Sequence, residues 1–251
     1  MTRAIALDGL SGAGKSTIAK ALANTLGINY LDTGAMYRAL AYAAKQEQIP
    51  LDIEDLVAAW LDQSGLELVL ARTGQKTLLH GVDVSADIRL PEISKLSSAI
   101  SALPSVRHYC VEMQRQLADQ QMPLVLDGRD IGSYVLPRAD FKFYLEATAA
   151  ERARRRWRQM QDDTQGMATQ SYDQVLTEII KRDQNDSSRK LAPAVAAPDA
   201  IKIETTELTV SEVLQRILRL MRVRAAEDPK LGDFWQQYLV SDSVSGAENK
   251  R

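Results

Sequence analysis

The chain has a single cysteine, Cys110, so no disulfide can form within it, and a reducing compartment fits. Cys110 lies in a stretch of helical character and reads as a small buried residue, not a nucleophile. Only two histidines occur, His80 and His108, and they do not form a metal-ligand spacing with it. No apolar run is long enough to span a bilayer and no secretory leader is visible, which predicts a soluble, cytoplasmic protein. Neither sign of charge dominates, with 31 Lys and Arg against 33 Asp and Glu. That balance argues against a general nucleic-acid-binding surface and leaves local arginine clusters open. A chain of 251 residues can bury a sizeable core, read here as one α/β domain carrying an insertion.

What is present begins at residue 9. Gly9, Leu10, Ser11, Gly12, Ala13, Gly14, Lys15 and Ser16 complete the pattern G-x-x-x-x-G-K-[ST], with Thr17 next. Ala4–Asp8 before it reads as a buried strand, and Thr17–Leu26 after it as a helix stopped by Gly27. The glycines let the loop fold back so that backbone N–H groups converge on phosphate oxygens. Lys15 is placed for the β- and γ-phosphates and Ser16 for magnesium. An ordinary Gly- and Ser-rich turn would not need the whole pattern in this strand–loop–helix setting. The motif predicts a nucleoside triphosphate site.

Strand-like runs recur with helical stretches between them, as in a parallel sheet of βαβ units: Ile28–Leu31, Leu124–Asp127, Phe141–Glu146 and Ala200–Glu204. Capping boxes at Thr148/Glu151, Ser171/Gln174 and Thr209/Glu212 open three helices. Leu66–Ala71 and Lys76–Leu79 flank Arg72-Thr73-Gly74-Gln75 as a hairpin, and helices follow from Pro91 and Pro104. Residues 63–122 therefore read as a small α+β insertion. Near the C-terminus, Asp233 is expected to cap a short helix whose Phe234, Trp235, Tyr238 and Leu239 pack on the parent domain. Ser241 to Arg251 is polar and expected to be disordered.

A second set of charged residues sits at strand ends and on later helices. Asp32-Thr33-Gly34-Ala35-Met36-Tyr37-Arg38 follows the second strand, and Asp127-Gly128-Arg129-Asp130 follows the third. Arg152, Arg154, Arg155, Arg156 and Arg158 crowd one helix, and Arg182, Asp183, Asp186 and Arg189 come after it. Ligands of open α/β sheets bind at the carboxyl ends of the strands, so Arg38 and Arg129 can converge on a second anion. Guanidinium groups suit that task because they grip phosphate oxygens in pairs. Taken singly, the arginines of 152–158 and the charges of 182–186 also fit a solvated helix face, and Ser98 alone carries no signal.

The chain resembles the bacterial cytidylate kinases of the nucleoside monophosphate kinase superfamily. The resemblance rests on DGLSGAGKST, LDTGAMYRALA, DVSADIR, SSAISALPSVR, LDGRDIGSYVLP and RDQNDSSRKLAPAVAAPDA, which span residues 4 to about 220. It implies an α/β fold: a P-loop NTPase parallel sheet with flanking helices, an inserted α+β NMP-binding domain at about 63–122 and a short helical LID at about 152–172. Residues 226–251 form an extension outside it. It further implies transfer of the ATP γ-phosphate to CMP or dCMP, with magnesium (Mg2+) as cofactor and a monomer that completes its site in one chain. Neither nucleic acid nor membrane is an implied partner.

By the same resemblance Arg38, Arg129 and Arg189 hold the acceptor phosphate, and Thr33 and Tyr37 line the pocket. Ser98, Arg107 and Asp130 address the cytosine ring, while Arg182 and Asp186 address the sugar. Asp127 holds magnesium through water beside Ser16, and Arg155 and Arg156 act with Lys15 on the transferring group. The chemistry is coherent, since the cytosine N4 amine seeks a carboxylate while N3 and O2 seek donors. Two alternatives stay open at this level: a P-loop kinase for a small hydroxyl acceptor, and a non-catalytic nucleotide switch.

Overall fold

A computed structural model describes residues 3–71, 74–120, 122–163 and 170–239. Its centre is a five-stranded parallel sheet of β1 (Ala4–Gly9), β2 (Asn29–Asp32), β6 (Leu124–Asp127), β7 (Phe141–Glu146) and β8 (Ile201–Glu204). The strand order is β2-β6-β1-β7-β8, so the chain leaves β1 toward one edge and later returns past it toward the other. Both faces of the sheet are covered, which is why β1 and β6 are apolar along almost their whole length instead of alternating. Ala4 and Ala6 point to a cluster shared with α2 (Thr33–Gln46) and α5 (Pro104–Asp119). Ile5 and Leu7 point to the opposite cluster, built with α1 (Lys15–Leu26), α8 (Val210–Glu227) and α9 (Pro229–Leu239).

The expected strands are all present within a residue or two. The second sheet is antiparallel, with β3 (Leu66–Ala71), β4 (Gly74–Leu79) and an additional short strand, β5 (Val82–Asp83). Arg72 and Thr73 of the expected turn lie outside the described residues. His80 and Gly81 join β4 to β5 with φ of 49° and 77°, the left-handed pair that a two-residue hairpin needs. Gly65 faces this turn, and a Cβ there would lie 2.4 Å from the His80 ring. Among the described strands and α-helices, two were not signalled by the sequence: β5 and the two-turn helix α3 (Glu54–Leu61), which lacks a side-chain N-cap. Pro91 and Pro104 do open helices, α4 (Pro91–Ile100) and α5. The insertion has no core of its own, because Leu66, Leu79, Ile88, Ile93 and Ile100 join the cluster that also holds α2.

Helices α6 (Ala149–Asp163) and α7 (Tyr172–Ser187) pack on each other through Ala153, Val175 and Ile179, flanked by Trp157 and Met160. Capping boxes open α7 and α8 as expected. At α6 only half of the box forms. Thr148 Oγ1 accepts the Glu151 N–H at 3.2 Å, but the Glu151 carboxylate turns to Arg154 and Arg155. Helix α9 begins at Pro229, and Asp228 Oδ1 accepts the Lys230 N–H at 2.9 Å. Asp233 is thus internal to α9 and does not cap it. The aromatic stripe does pack on the parent domain, with Trp235 fully buried edge-on to Phe141. Ser241 to Arg251 lies outside the described residues. No helix among the described residues is long and apolar enough to cross a membrane.

Candidate active site

The loop leaving β1 and the loops leaving β2 and β6 open on one cleft at the carboxyl ends of the strands. Gly12 and Gly14 take φ of 79° and 88°, so the backbone turns back on itself before α1 starts at Lys15. Gly12 has a second reason to be glycine: a Cβ would come within 2.8 Å of the Arg152 carbonyl oxygen on α6. Lys15 Nζ donates to Leu10 O at 2.8 Å, lying across the loop it serves. Burial, then the nearby Arg129, depress its amine from 10.5 to about 7. Ser16 Oγ donates to Asp127 Oδ2 and Tyr30 OH donates to Asp127 Oδ1, each at 2.7 Å. Burial pushes the Asp127 carboxyl up to about 6.

Across the cleft, each guanidinium group rests on a carboxylate. Arg38 Nη2 donates to Asp32 Oδ2 at 2.8 Å, while Asp32 Oδ1 caps α2 by accepting the Ala35 N–H. Arg107 donates to Asp130, and both side chains are at least nine-tenths buried. Arg129 Nε lies 2.6 Å from Asp186 Oδ2, Arg189 pairs with Asp186 Oδ1, and Arg182 Nε is 3.9 Å away. Desolvation lowers the Arg182 guanidinium to about 10. Such pairing lets several positive groups share a small space without a ligand. Thr33 Oγ1 donates to Asp127 O at 2.8 Å, which ties the α2 start to the β6 end. The Arg107 guanidinium stands 5.9 Å over the Tyr37 ring.

The cleft wall includes Ser11–Thr17, Thr33, Tyr37, Arg38, Arg107, Asp127, Arg129, Asp130, Arg155, Arg156, Arg182 and Arg189. Four residues expected in the site stand elsewhere. Gly9 lies behind the loop, where a Cβ would meet Leu145 O at 2.3 Å, and Leu10 supplies the carbonyl that holds Lys15. Asp186 is fully buried under three arginines and orders them from behind. Ser98 is half-buried on α4, where its carbonyl accepts from Ser101 Oγ; Ser97 and Ser101 face the cleft instead. Arg155 donates to Thr205 O at 2.6 Å and to Glu151 at 2.9 Å.

A family model described as cytidylate kinase matches residues 5–223, which contain every residue of this cleft. The chain belongs to the cytidylate kinase family. Curated relatives agree. The cytidylate kinase of Caldanaerobacter subterraneus subsp. tengcongensis is 45% identical over 222 residues, covering 88% of this chain and 96% of that protein. That of Halalkalibacterium halodurans is 44% identical over 220 residues, with 88% and 97% covered. That of Bacillus subtilis is 41% identical over 221 residues, with 88% and 97% covered.

Within this family member, three features escaped the sequence reading. Arg152 does not face the cleft; it donates to Ser11 O at 3.0 Å and pairs with Asp183 at 2.7 Å, bracing α6 against the phosphate loop and α7. Nothing in the run of arginines distinguishes it from its neighbours except helical phase. The cleft also continues past Arg155 along Thr205–Val210, the loop that ends in the Thr209 cap of α8, where the capping box marks a helix start but gives no sign of a binding surface. Asp8, the third, is fully enclosed at the end of β1 and reads in sequence as no more than a strand terminus.

Proposed function

We propose that this cleft moves the γ-phosphoryl group of ATP to CMP or dCMP, giving ADP with CDP or dCDP, through the residues named below. The observation that carries the reading is the pairing of two anion sites in one cleft. The phosphate loop with Lys15 faces Arg38, Arg129, Arg182 and Arg189. A hydroxyl acceptor would need no such ring of cations, and a one-ligand switch would need only the first site.

The acceptor is a phosphomonoester whose second pKa is about 6, so its attacking oxygen is already ionised near neutral pH. No general base is required. The barrier is electrostatic, because two polyanions must meet in line. Arg38, Arg129 and Arg189 hold the acceptor phosphate. Asp130 accepts from the cytosine amine while Arg107 and a serine of α4 donate to the ring, with Tyr37 and Thr33 shaping the pocket. Arg182 serves the sugar, and Asp186 aligns its arginines. Residues 63–122 are read as the NMP-binding insertion and residues 152–172, of which 164–169 lie outside the described residues, as the LID; its helix α6 would bring Arg155 and Arg156 over the transferring group and exclude water.

Ser16 and Asp127, with oxygens 2.7 Å apart beside Lys15, are hard oxygen donors that would hold a magnesium ion, Asp127 through water. Such an ion neutralises phosphate charge when bound. The family, the single buried cysteine and the completeness of the site in one chain support a cytoplasmic monomer that engages neither membrane nor nucleic acid. A coupled ADP-release assay over nucleoside monophosphates and hydroxyl metabolites tests the reading. CMP and dCMP should give the highest kcat/KM; turnover only with a hydroxyl compound, or with none, would reject it.

A further inference from the structure

Asp8 ends the apolar run of β1 one residue before the phosphate loop, and it is 3% exposed. A carboxylate so placed works against phosphate binding, since like charges repel strongly in a cleft of low dielectric. Its contacts give the reason for its presence. Oδ1 accepts the Ile131 N–H at 2.9 Å and Oδ2 accepts the Gly132 N–H at 2.7 Å. The two neighbours of Asp8 repeat the attachment. Leu7 O accepts the Gly128 N–H at 3.1 Å, and Gly9 O accepts Arg129 Nη1 at 3.1 Å. Three consecutive residues of the strand that feeds the phosphate loop therefore hold the segment Gly128–Gly132 on both sides of Asp130.

We infer that Asp8 is a positioning residue: it clamps the Gly128–Gly132 segment, and with it Arg129 and Asp130, in register with the phosphate loop. Donor and acceptor sites are thereby aligned before either substrate binds. Alignment of this kind matters because a displacement of about 1 Å in reacting groups can cost on the order of 100-fold in rate. Burial pushes the Asp8 carboxyl up to about 7 while the Gly132 and Ile131 N–H groups pull it down, so the two hydrogen bonds gain full charge assistance above that value. The inference rests on the reading of Arg129 and Asp130 as acceptor ligands.

Asp8→Asn tests it. The amide keeps the side-chain volume but presents only one acceptor, so one of the two N–H groups faces an N–H2. The KM for CMP should rise about tenfold, and the CMP-over-UMP ratio of kcat/KM should fall at least about threefold. The KM for ATP should stay within about twofold, because the phosphate loop itself is untouched. A lower melting temperature with unchanged KM for CMP and unchanged ratio would overturn the inference, reducing Asp8 to a structural residue. Tighter ATP binding with CMP unaffected would overturn it too. Gly132→Ala loads the same contact from the other end, since a Cβ there would press the Lys142 stem at 3.1 Å while standing 3.4 Å from Asp8 Oδ2, so any shift of Gly132 that relieves the pressure is felt at the clamp. It should reproduce the CMP-specific pattern more weakly, and it decides the matter if Asp8→Asn does not fold. Asp130→Asn is measured in parallel. If it lowers the ratio while the Asp8 and Gly132 variants do not, only the clamp is rejected; if it leaves the ratio unchanged, the acceptor reading falls and takes the clamp with it.

Discussion

Lys15 is a buried amine held at about 7 by desolvation and by Arg129, well below its value of 10.5 in an unfolded chain. A depressed folded value means that burying Lys15 costs nothing above 10.5, where both states are neutral; the cost grows as pH falls below 10.5 and is complete below about 7. Lys15→Ala removes that dependence. Its melting temperature relative to the parent protein should be more favourable at pH 6 than at pH 9, while turnover disappears at both; near-normal kcat would reject the role of Lys15. Asp130 carries a different expectation. Asp130→Asn offers uracil O4 a donor, and one base-edge contact is worth about 1–3 kcal/mol, so the CMP-over-UMP ratio should fall on the order of tenfold. The variant also leaves Arg107 without its carboxylate in a buried place, a loss of about 3–5 kcal/mol at most that a thermal melt will register. At this scale the sequence was informative where function is local. The phosphate loop spans eight consecutive residues and was fully legible. The Arg129–Asp186 and Arg107–Asp130 pairs join residues 57 and 23 positions apart, so only the tertiary fold reveals them. Which serine of α4 faces the cleft depends on helical phase, which spacing alone does not set.

Helix α6 brings Arg155 and Arg156 to the cleft, where Arg155 rests on Thr205 and Glu151; in the proposed reaction it exchanges those partners for substrate. Substituting either arginine by alanine should therefore lower kcat much more than it raises the KM for CMP; the reverse pattern would move them to the acceptor site. Helix α9 lies beyond the matched residues 5–223 yet is part of the packed body. Trp235 is fully buried against Phe141, its Nε1 donates to Asp140 Oδ2 at 2.6 Å, and the Arg3 guanidinium covers Phe234 at 4.2 Å. Trp235→Ala should cost about 3–5 kcal/mol of stability, read by denaturant unfolding, with kcat at low temperature unchanged. A loss below about 1 kcal/mol would show that α9 is only loosely attached. Buried parallel strands announce themselves as apolar runs, as in β1, β6 and most of β7, whereas the edge strand β8 was legible through its Ile-Lys-Ile-Glu alternation. The two-residue β5 exists only through its pairing with Leu78 and Leu79, and α3 only through docking, so neither left a local signal.

The whole molecule has a formal net charge of −2, and its positive charge is concentrated where two substrates must meet. That concentration is tolerable because Asp32, Asp130 and Asp186 sit among the arginines of the cleft, Asp32 at the end of β2, Asp130 just after β6 and Asp186 on α7. Across the cleft, Lys95 on α4 reaches Glu178 on α7 at 3.2 Å, and Arg189 donates to Ser101 Oγ at 3.0 Å. These polar contacts join residues 95–101 to α7 and to the loop that follows it. The central claim is direct passage of a phosphoryl group between two nucleotides held on one sheet. It is tested most directly by supplying ATP labelled in its γ-phosphoryl group, together with CMP, and following the label. The label should appear in the β-phosphate of CDP at the same rate as ADP forms, and not in Lys15→Ala. Label released as inorganic phosphate, or ADP formation that is indifferent to CMP, would contradict the account.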